Sequence, residues 1–210
     1  MSGYEVASLT GVESVKGPGT LQWTPLRKHF GITAFGINAY TATEAGQDVV
    51  EEHTEERLGH EEVYVVVSGR ATFVIDGDER EVAAGSAVFL RDPTIKRYAR
   101  AEEPGTTVLA IGGKPGQHEI SAWEYFFAAY PKADAGDYEG ALAELDAGLA
   151  EKPDYAPLLY HRACILSRAG RLDEARGFLN RALVGDPELK RWADEDEDLA
   201  PLRASDATSA

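Results

Sequence analysis

The stretch from Gly46 to Gly85, GQDVVEEHTEERLGHEEVYVVVSGRATFVIDGDEREVAAG, constrains the fold more than any other part of the chain. Two runs of β-forming residues, Val63 to Val67 and Ala71 to Ile75, are separated only by Ser68, Gly69 and Arg70, which is hairpin spacing. Asp76-Gly77-Asp78 supplies a second turn before Glu79 to Val82 resumes an extended pattern. Short strands with turns this close together predict a barrel or a sandwich. At the mouth of the expected hairpin stand His53, Glu55, His60 and Glu62, residue types that ligate divalent metals.

Further strands are expected on both sides. Leu21 to Leu26 and Ile32 to Thr41 look extended, the second with Ala34, Gly36, Asn38 and Tyr40 on one face and Phe35, Ile37 and Ala39 on the other. Asn38 and Tyr40 are unusual on a purely structural face and become candidate ligand contacts, as does Tyr64 in the central strand. Ser86 to Arg91, Ile95 to Arg100 and Thr106 to Ile111 supply three more strands, with Asp92-Pro93-Thr94 and Glu103-Pro104-Gly105 as turns. Residues 1–18 read as an N-terminal arm, 19–113 as the β-barrel and 114–120 as a linker.

Within the central stretch, Glu62, six residues and then Gly69 reproduce the second half of the first cupin motif, G-x5-H-x-H-x3-4-E-x6-G. The first part of the chain therefore resembles a cupin, which implies a jelly-roll barrel with a pocket. In metal-binding cupins two His and the Glu share a divalent ion with a His of a second motif, G-x5-P-x-G-x2-H. Here the H-x-H position reads His53-Thr54-Glu55, His60 stands just before Glu61-Glu62, and the residue four places after Pro93 is Arg97. A guanidinium cannot ligate a metal. Strand alternation sets Arg97 on one face and Lys96 and Tyr98 on the other, so Arg97 is expected inside the barrel as a fixed positive charge. Such a charge needs a carboxylate partner, either Glu62 or a ligand.

The composition changes after Ser121, where Ala, Leu and Glu dominate and Ala141, Leu142, Leu145 and Leu149 recur at helical spacing. Gly136, Ala141 and Pro153 recur as Gly170, Ala175 and Pro187, each pair 34 residues apart. That period and content resemble tetratricopeptide repeats, in which small residues let two antiparallel helices pack closely. Residues 121–203 are expected to form the helical domain, with repeats at about 122–155 and 156–189. Gly148 stands where the family pattern carries Ala. Asp186-Pro187 reads as a helix start, Trp192 to Leu202 as an acidic capping segment, and residues 204–210 as a frayed tail.

The formal net charge is −15, with 11 basic and 18 acidic side chains in residues 1–119 and 10 and 18 in residues 120–210. Both parts would repel a phosphate backbone, which disfavours nucleic-acid binding. No apolar run approaches membrane-spanning length and the N-terminus lacks a signal-peptide layout, so a cytoplasmic protein is expected. Cys164 is the single cysteine and reads as a buried thiol. Gly112-Gly113-Lys114 lacks the spacing of a phosphate-binding loop, and His118 and His161 are isolated and are assigned no chemistry.

These readings converge on a β-barrel of cupin type followed by a small all-α repeat array. The leading expectation is a non-enzymatic protein binding a small anionic molecule through Arg97, Tyr64, Glu62, Asn38 and Tyr40, with no cofactor. The helices would serve association, through a homodimer, a protein partner or packing on the barrel. The aromatic residues Trp123, Tyr125, Phe126, Phe127 and Tyr130 crowd more than one face of the first helix and motivate that expectation. The alternative is a metal-dependent cupin enzyme, an isomerase or dioxygenase acting on a small polar metabolite, with Fe, Mn, Ni or Zn held by His53, His60 and Glu62.

Overall fold

The computed structural model describes residues 6–17 and 19–208. The chain divides into two compact units, Met1–His118 and Glu119–Ala210. Among the described residues no helix is long and apolar enough to cross a membrane.

The first unit contains β1 (Val15–Lys16), β2 (Gln22–Thr24), α1 (Leu26–Phe30), β3 (Gly36–Thr41), β4 (Asp48–His53) and β5 (Glu61–Ser68). It continues through β6 (Arg70–Ile75), β7 (Asp78–Ala83), β8 (Ala87–Leu90), β9 (Arg97–Ala101) and β10 (Thr107–Gly113). The strands form two sheets, ordered β1-β2-β3-β10-β5-β8 and β4-β9-β6-β7. From β3 to β10 the strands alternate between the sheets except at β6 and β7, which are adjacent in the four-stranded sheet, and the first strand pairs with the last, the winding of a jelly roll. Val49, Val50, Tyr64, Val66, Phe73, Leu90, Ala99 and Val108 come from both sheets and share one buried core. On the outer face of the six-stranded sheet, Val12, Leu26 and Ala39 form a second core with Phe30, Ile37 and Leu109.

Three sequence expectations are corrected here. The runs flanking Ser68-Gly69-Arg70 do not pair with each other: β5 pairs with β8 and β10, and β6 with β7 and β9. The link is a corner that carries the chain from one sheet to the other. Gly69 sits there at φ 69°, and a Cβ at this position would lie 2.8 Å from Thr106 Cα. Local spacing cannot distinguish such a corner from a hairpin. The true hairpin is the next one, where Asp76 and Gly77 both take positive φ, as a two-residue primed turn requires, between Ile75 and Asp78.

The second correction concerns Leu21 to Leu26 and Ile32 to Thr41, expected as two strands. They shorten to β2 and β3, and helix α1 fills the gap between them, because Leu26 and Phe30, four residues apart, both pack on the outer core, and Gly31 at φ 66° ends the turn. Strand β4, the third difference, runs through residues 48–53, where the sequence reading places no strand. Val49 and Val50 are buried while Glu51 and Glu52 remain exposed.

The second unit contains α2 (Ala122–Asp134), α3 (Tyr138–Glu151), α4 (Ala156–Arg168), α5 (Leu172–Gly185), α6 (Leu189–Glu195) and α7 (Ala200–Thr208). The starts of α4 and α5 lie 34 residues after those of α2 and α3, the period seen in the sequence. Ala141, Leu145, Ala163, Ala175 and Ala182 are fully buried at the helix contacts. Gly148 has a local reason: a Cβ there would lie 2.7 Å from both Leu158 Cδ1 and Tyr125 Cδ2. The equivalent position of the second repeat carries the buried Ala182, and the equivalent of Tyr125 is Leu159.

Leu189, Ala193, Leu199 and Leu202 close the core at the C-terminal end. Asp186 Oδ1 accepts a hydrogen bond from the Glu188 amide at 3.0 Å, but the helix proper starts at Leu189 rather than at Pro187. Helix α7 continues through Thr208, and Arg176 pairs with Asp206. Residues 209–210 lie outside the described residues.

Candidate functional site

The open end of the jelly roll holds a cavity of about 500 Å³ lined by β3, β4, the loop after it, β5, β10 and Arg27 of α1. Alternation explains the wall. Ile37 and Ala39 turn to the outer core, which leaves Gly36, Asn38 and Tyr40 facing the cavity. On β5 the same rule aims Glu62 and Tyr64 inward, and on β4 Glu51 and His53. Gly112 pairs with Glu62 on β10, and a Cβ there would lie 3.1 Å from Glu62 Cγ, so its absence makes room for the carboxylate.

Glu62 is the hub. Arg97 Nη2 donates to its Oε2 at 2.7 Å, the Tyr64 hydroxyl donates to the same oxygen, and His53 Nε2 lies 3.6 Å from it. Burial alone would push the Glu62 carboxyl up, but bonds from His53, Tyr64 and Arg97 together hold it down at about 2. Arg97 is fully buried, and its other donors reach Tyr64 Oη at 3.3 Å and Ile95 O at 2.8 Å. The register of β4 and β9 sets Arg97 directly opposite His53.

His53 Nδ1 lies 2.7 Å from Glu51 O, which orients the ring, and the facing Glu62 carboxylate raises its pKa. Glu55 lies between two imidazoles, with Oε1 3.8 Å from His53 Nε2 and Oε2 3.3 Å from His60 Nδ1. Its Oε2 is buried without a hydrogen bond among the described residues. Burial, followed by the charges of Glu51, Glu62 and Glu55, pushes the Tyr40 phenol up to about 12, so it is a neutral donor at physiological pH.

Of the residues singled out from sequence, Asn38, Tyr40, His53, His60, Glu62 and Tyr64 all line this cavity. Arg97 does not line it and stands behind Glu62 instead. Glu51, Glu55 and Arg27 complete the wall. The sequence gives no strand signal for β4 that would single out Glu51, and no element signal for residues 27–31 that would single out Arg27. Glu55 is one of the four residues that the sequence sets at the mouth with ligand chemistry, in the place of the second His of the H-x-H motif.

The alternative expectation from the sequence is a divalent metal held by His53, His60 and Glu62. His53, Glu55 and Glu62 each offer one ligand atom, all within 4.8 Å of one another. His60 is not part of that group and contacts Glu55 alone among these residues. The set nevertheless does not fit a divalent ion as it stands. Glu62 Oε2 already accepts from Arg97 and Tyr64, and a dication sharing that carboxylate would meet a guanidinium at close range, a repulsion of several kcal/mol at protein dielectric.

Topology and site define a jelly-roll protein with a polar pocket, joined to a tandem of helical hairpins. Residues 132–194 match the tetratricopeptide repeat family. Solved structures similar to part of the chain include cupins. One is a cupin protein from Bacteroides fragilis, 24% identical, covering 58% of this chain and 92% of that one, with a TM-score of 0.46. Another is a sugar phosphate isomerase of the cupin superfamily from Silicibacter pomeroyi, 18% identical, covering 52% and 76%, with a TM-score of 0.43. A third is an RmlC-like cupin from Shewanella frigidimarina, 17% identical, covering 54% and 94%, with a TM-score of 0.42. No curated protein matches the sequence.

Proposed function

We propose that the first unit binds a small polar molecule without a metal, and that the helical unit serves association with a second protein surface. The observation supporting the first part is the wall itself. Glu51, Glu55 and Asn38 present acceptors, Tyr40 presents one neutral donor, and the wall lies in a cavity large enough for a metabolite. The anionic ligand expected from Arg97 loses its anchor, because Arg97 spends its charge on Glu62 and is absent from the wall. With Glu62 neutralised, Glu51 and Glu55 outweigh Arg27. The pocket therefore suits a neutral or cationic ligand rich in hydroxyl or amine donors. Titrating the full chain with polyols, amino sugars and matched uronates, followed by calorimetry, tests this. Saturable binding of a hydroxyl- or amine-rich compound, weakened in Asn38→Leu and Tyr40→Phe, is expected; binding confined to the uronates would refute it.

A second reading is kept because His53, Glu55 and Glu62 cluster. In it the pocket is a metal-dependent isomerase or dioxygenase site. Near-stoichiometric Fe, Mn, Ni or Zn in tag-free protein, lost on His53→Ala, would establish that reading in place of the first.

For association, the supporting observation is α2, where Trp123 and Phe127 stack at 5.3 Å yet remain 54% and 66% exposed. Apolar rings left in water make a contact surface. Expressed alone, residues 119–210 should self-associate or aggregate; a soluble, cooperatively unfolding monomer would end this reading.

A further inference from the structure

The geometry points to Arg97 as the residue that decides what this pocket can hold: its guanidinium is a resident cation that keeps divalent metals out. This rests on reading the pocket as metal-independent, and it names the cause. A buried carboxylate such as Glu62 needs a positive partner, and either an ion or a side chain can supply one. Here the side chain does, with Nη2 2.7 Å from Glu62 Oε2. That oxygen is also the one His53 Nε2 faces at 3.6 Å, so the guanidinium engages the lone pairs that an ion shared by His53 and Glu62 would require.

The position is built rather than incidental. Arg97 is fully buried, and its bonds to Tyr64 Oη and Ile95 O lock the guanidinium in place. The Tyr64 hydroxyl, itself 3.4 Å from His53 Nε2, donates to Glu62 and fills the oxygen's remaining capacity. An ion taking Glu62 Oε2 could displace this arrangement only by stranding Arg97 without its counter-charge. The cross-strand register adds a consequence, since position 97 lies directly opposite His53. An imidazole at that position would bring a second nitrogen donor to the group already formed by His53, Glu55 and Glu62. One side chain thus separates a metal-excluding pocket from a metal-binding one.

The test uses the full chain, stripped with chelator and titrated with Co²⁺, whose visible absorption reports ligand geometry. The parent protein should show no saturable binding that depends on His53. Arg97→His should bind at least about 10-fold more tightly, the scale on which contacts supporting metal ligands act, and adding His53→Ala should abolish the gain. The inference is overturned if the parent binds Co²⁺ as tightly as Arg97→His and loses it on His53→Ala, or if folded Arg97→His shows no gain. Should Arg97→His fail to fold, Arg97→Gln removes the charge while keeping amide donors. Its affinity for Co²⁺ should then exceed the parent's, and an unchanged affinity overturns the inference. The outcome is independent of the organic-ligand titrations, so failure of one reading is distinguishable from failure of the other.

Discussion

Replacing Arg97 by Met removes the guanidinium while keeping much of its apolar stem. Glu62, only 12% exposed, then faces its own burial with His53 and Tyr64 alone. Breaking a buried ion pair by removing one partner costs about 3–5 kcal/mol. The titration of Glu62 gives a second route to the magnitude. Its carboxyl is held at about 2 in the folded protein against an ordinary value of 4.5, a difference equivalent to about 3 kcal/mol at neutral pH, shared among Arg97, Tyr64 and His53. Because the folded value is depressed, this stability is fully present above about pH 4.5 and is lost as the pH falls towards 2. In Arg97→Met the folded carboxyl rises back towards its ordinary value, so the stability lost between pH 4.5 and 2 should shrink. Arg100→Ala is the control, since Arg100 is 61% exposed, lies 3.4 Å from Asp48, and should cost at most about 1 kcal/mol. Denaturant unfolding followed through Trp23, with Trp123 and Trp192 changed to Phe, isolates the first unit. Equal, small shifts for Arg97→Met and Arg100→Ala would refute the argument, as would an unchanged acid limb in Arg97→Met.

Two further outcomes concern the helical unit. Gly148→Ala should destabilise it by roughly 1–3 kcal/mol through overpacking on Leu158 and Tyr125, despite the better helix propensity of Ala; a raised melting temperature by circular dichroism would contradict the packing. His161, stacked on Phe126 with ring centroids 4.1 Å apart, is held down by burial at about 4, against the opposing pull of Asp196. Its unfolded form takes up a proton first, so stability present above about pH 6.5 should decline as the pH falls towards 4, and His161→Phe should flatten that decline.

The sequence by itself determined what local periodicity can encode. Alternation in residues 36–41 separated Asn38 and Tyr40 from Ile37 and Ala39, and the structure turns the two sets to opposite faces of β3. The 34-residue period placed two helical hairpins, because a repeat that must stack on its neighbour shows its spacing in small buried residues such as Ala141 and Ala175. Motif spacing around Glu62 and Gly69 pointed to the jelly roll, and the position of Arg97 anticipated an internal positive charge. Only the tertiary structure decided how these parts meet. Ser68-Gly69-Arg70 has the local chemistry of a hairpin, yet long-range pairing with β8, β9 and β10 makes it a corner between sheets. Helix α1 exists because Leu26 and Phe30 find an outer core contributed by distant residues. The partner of Arg97 was open in the sequence between Glu62 and a ligand. Two strands far apart in the chain settle that geometry by burying the guanidinium 2.7 Å from Glu62, and so leave Glu51, Glu55, Asn38 and Tyr40 to face whatever enters the cavity.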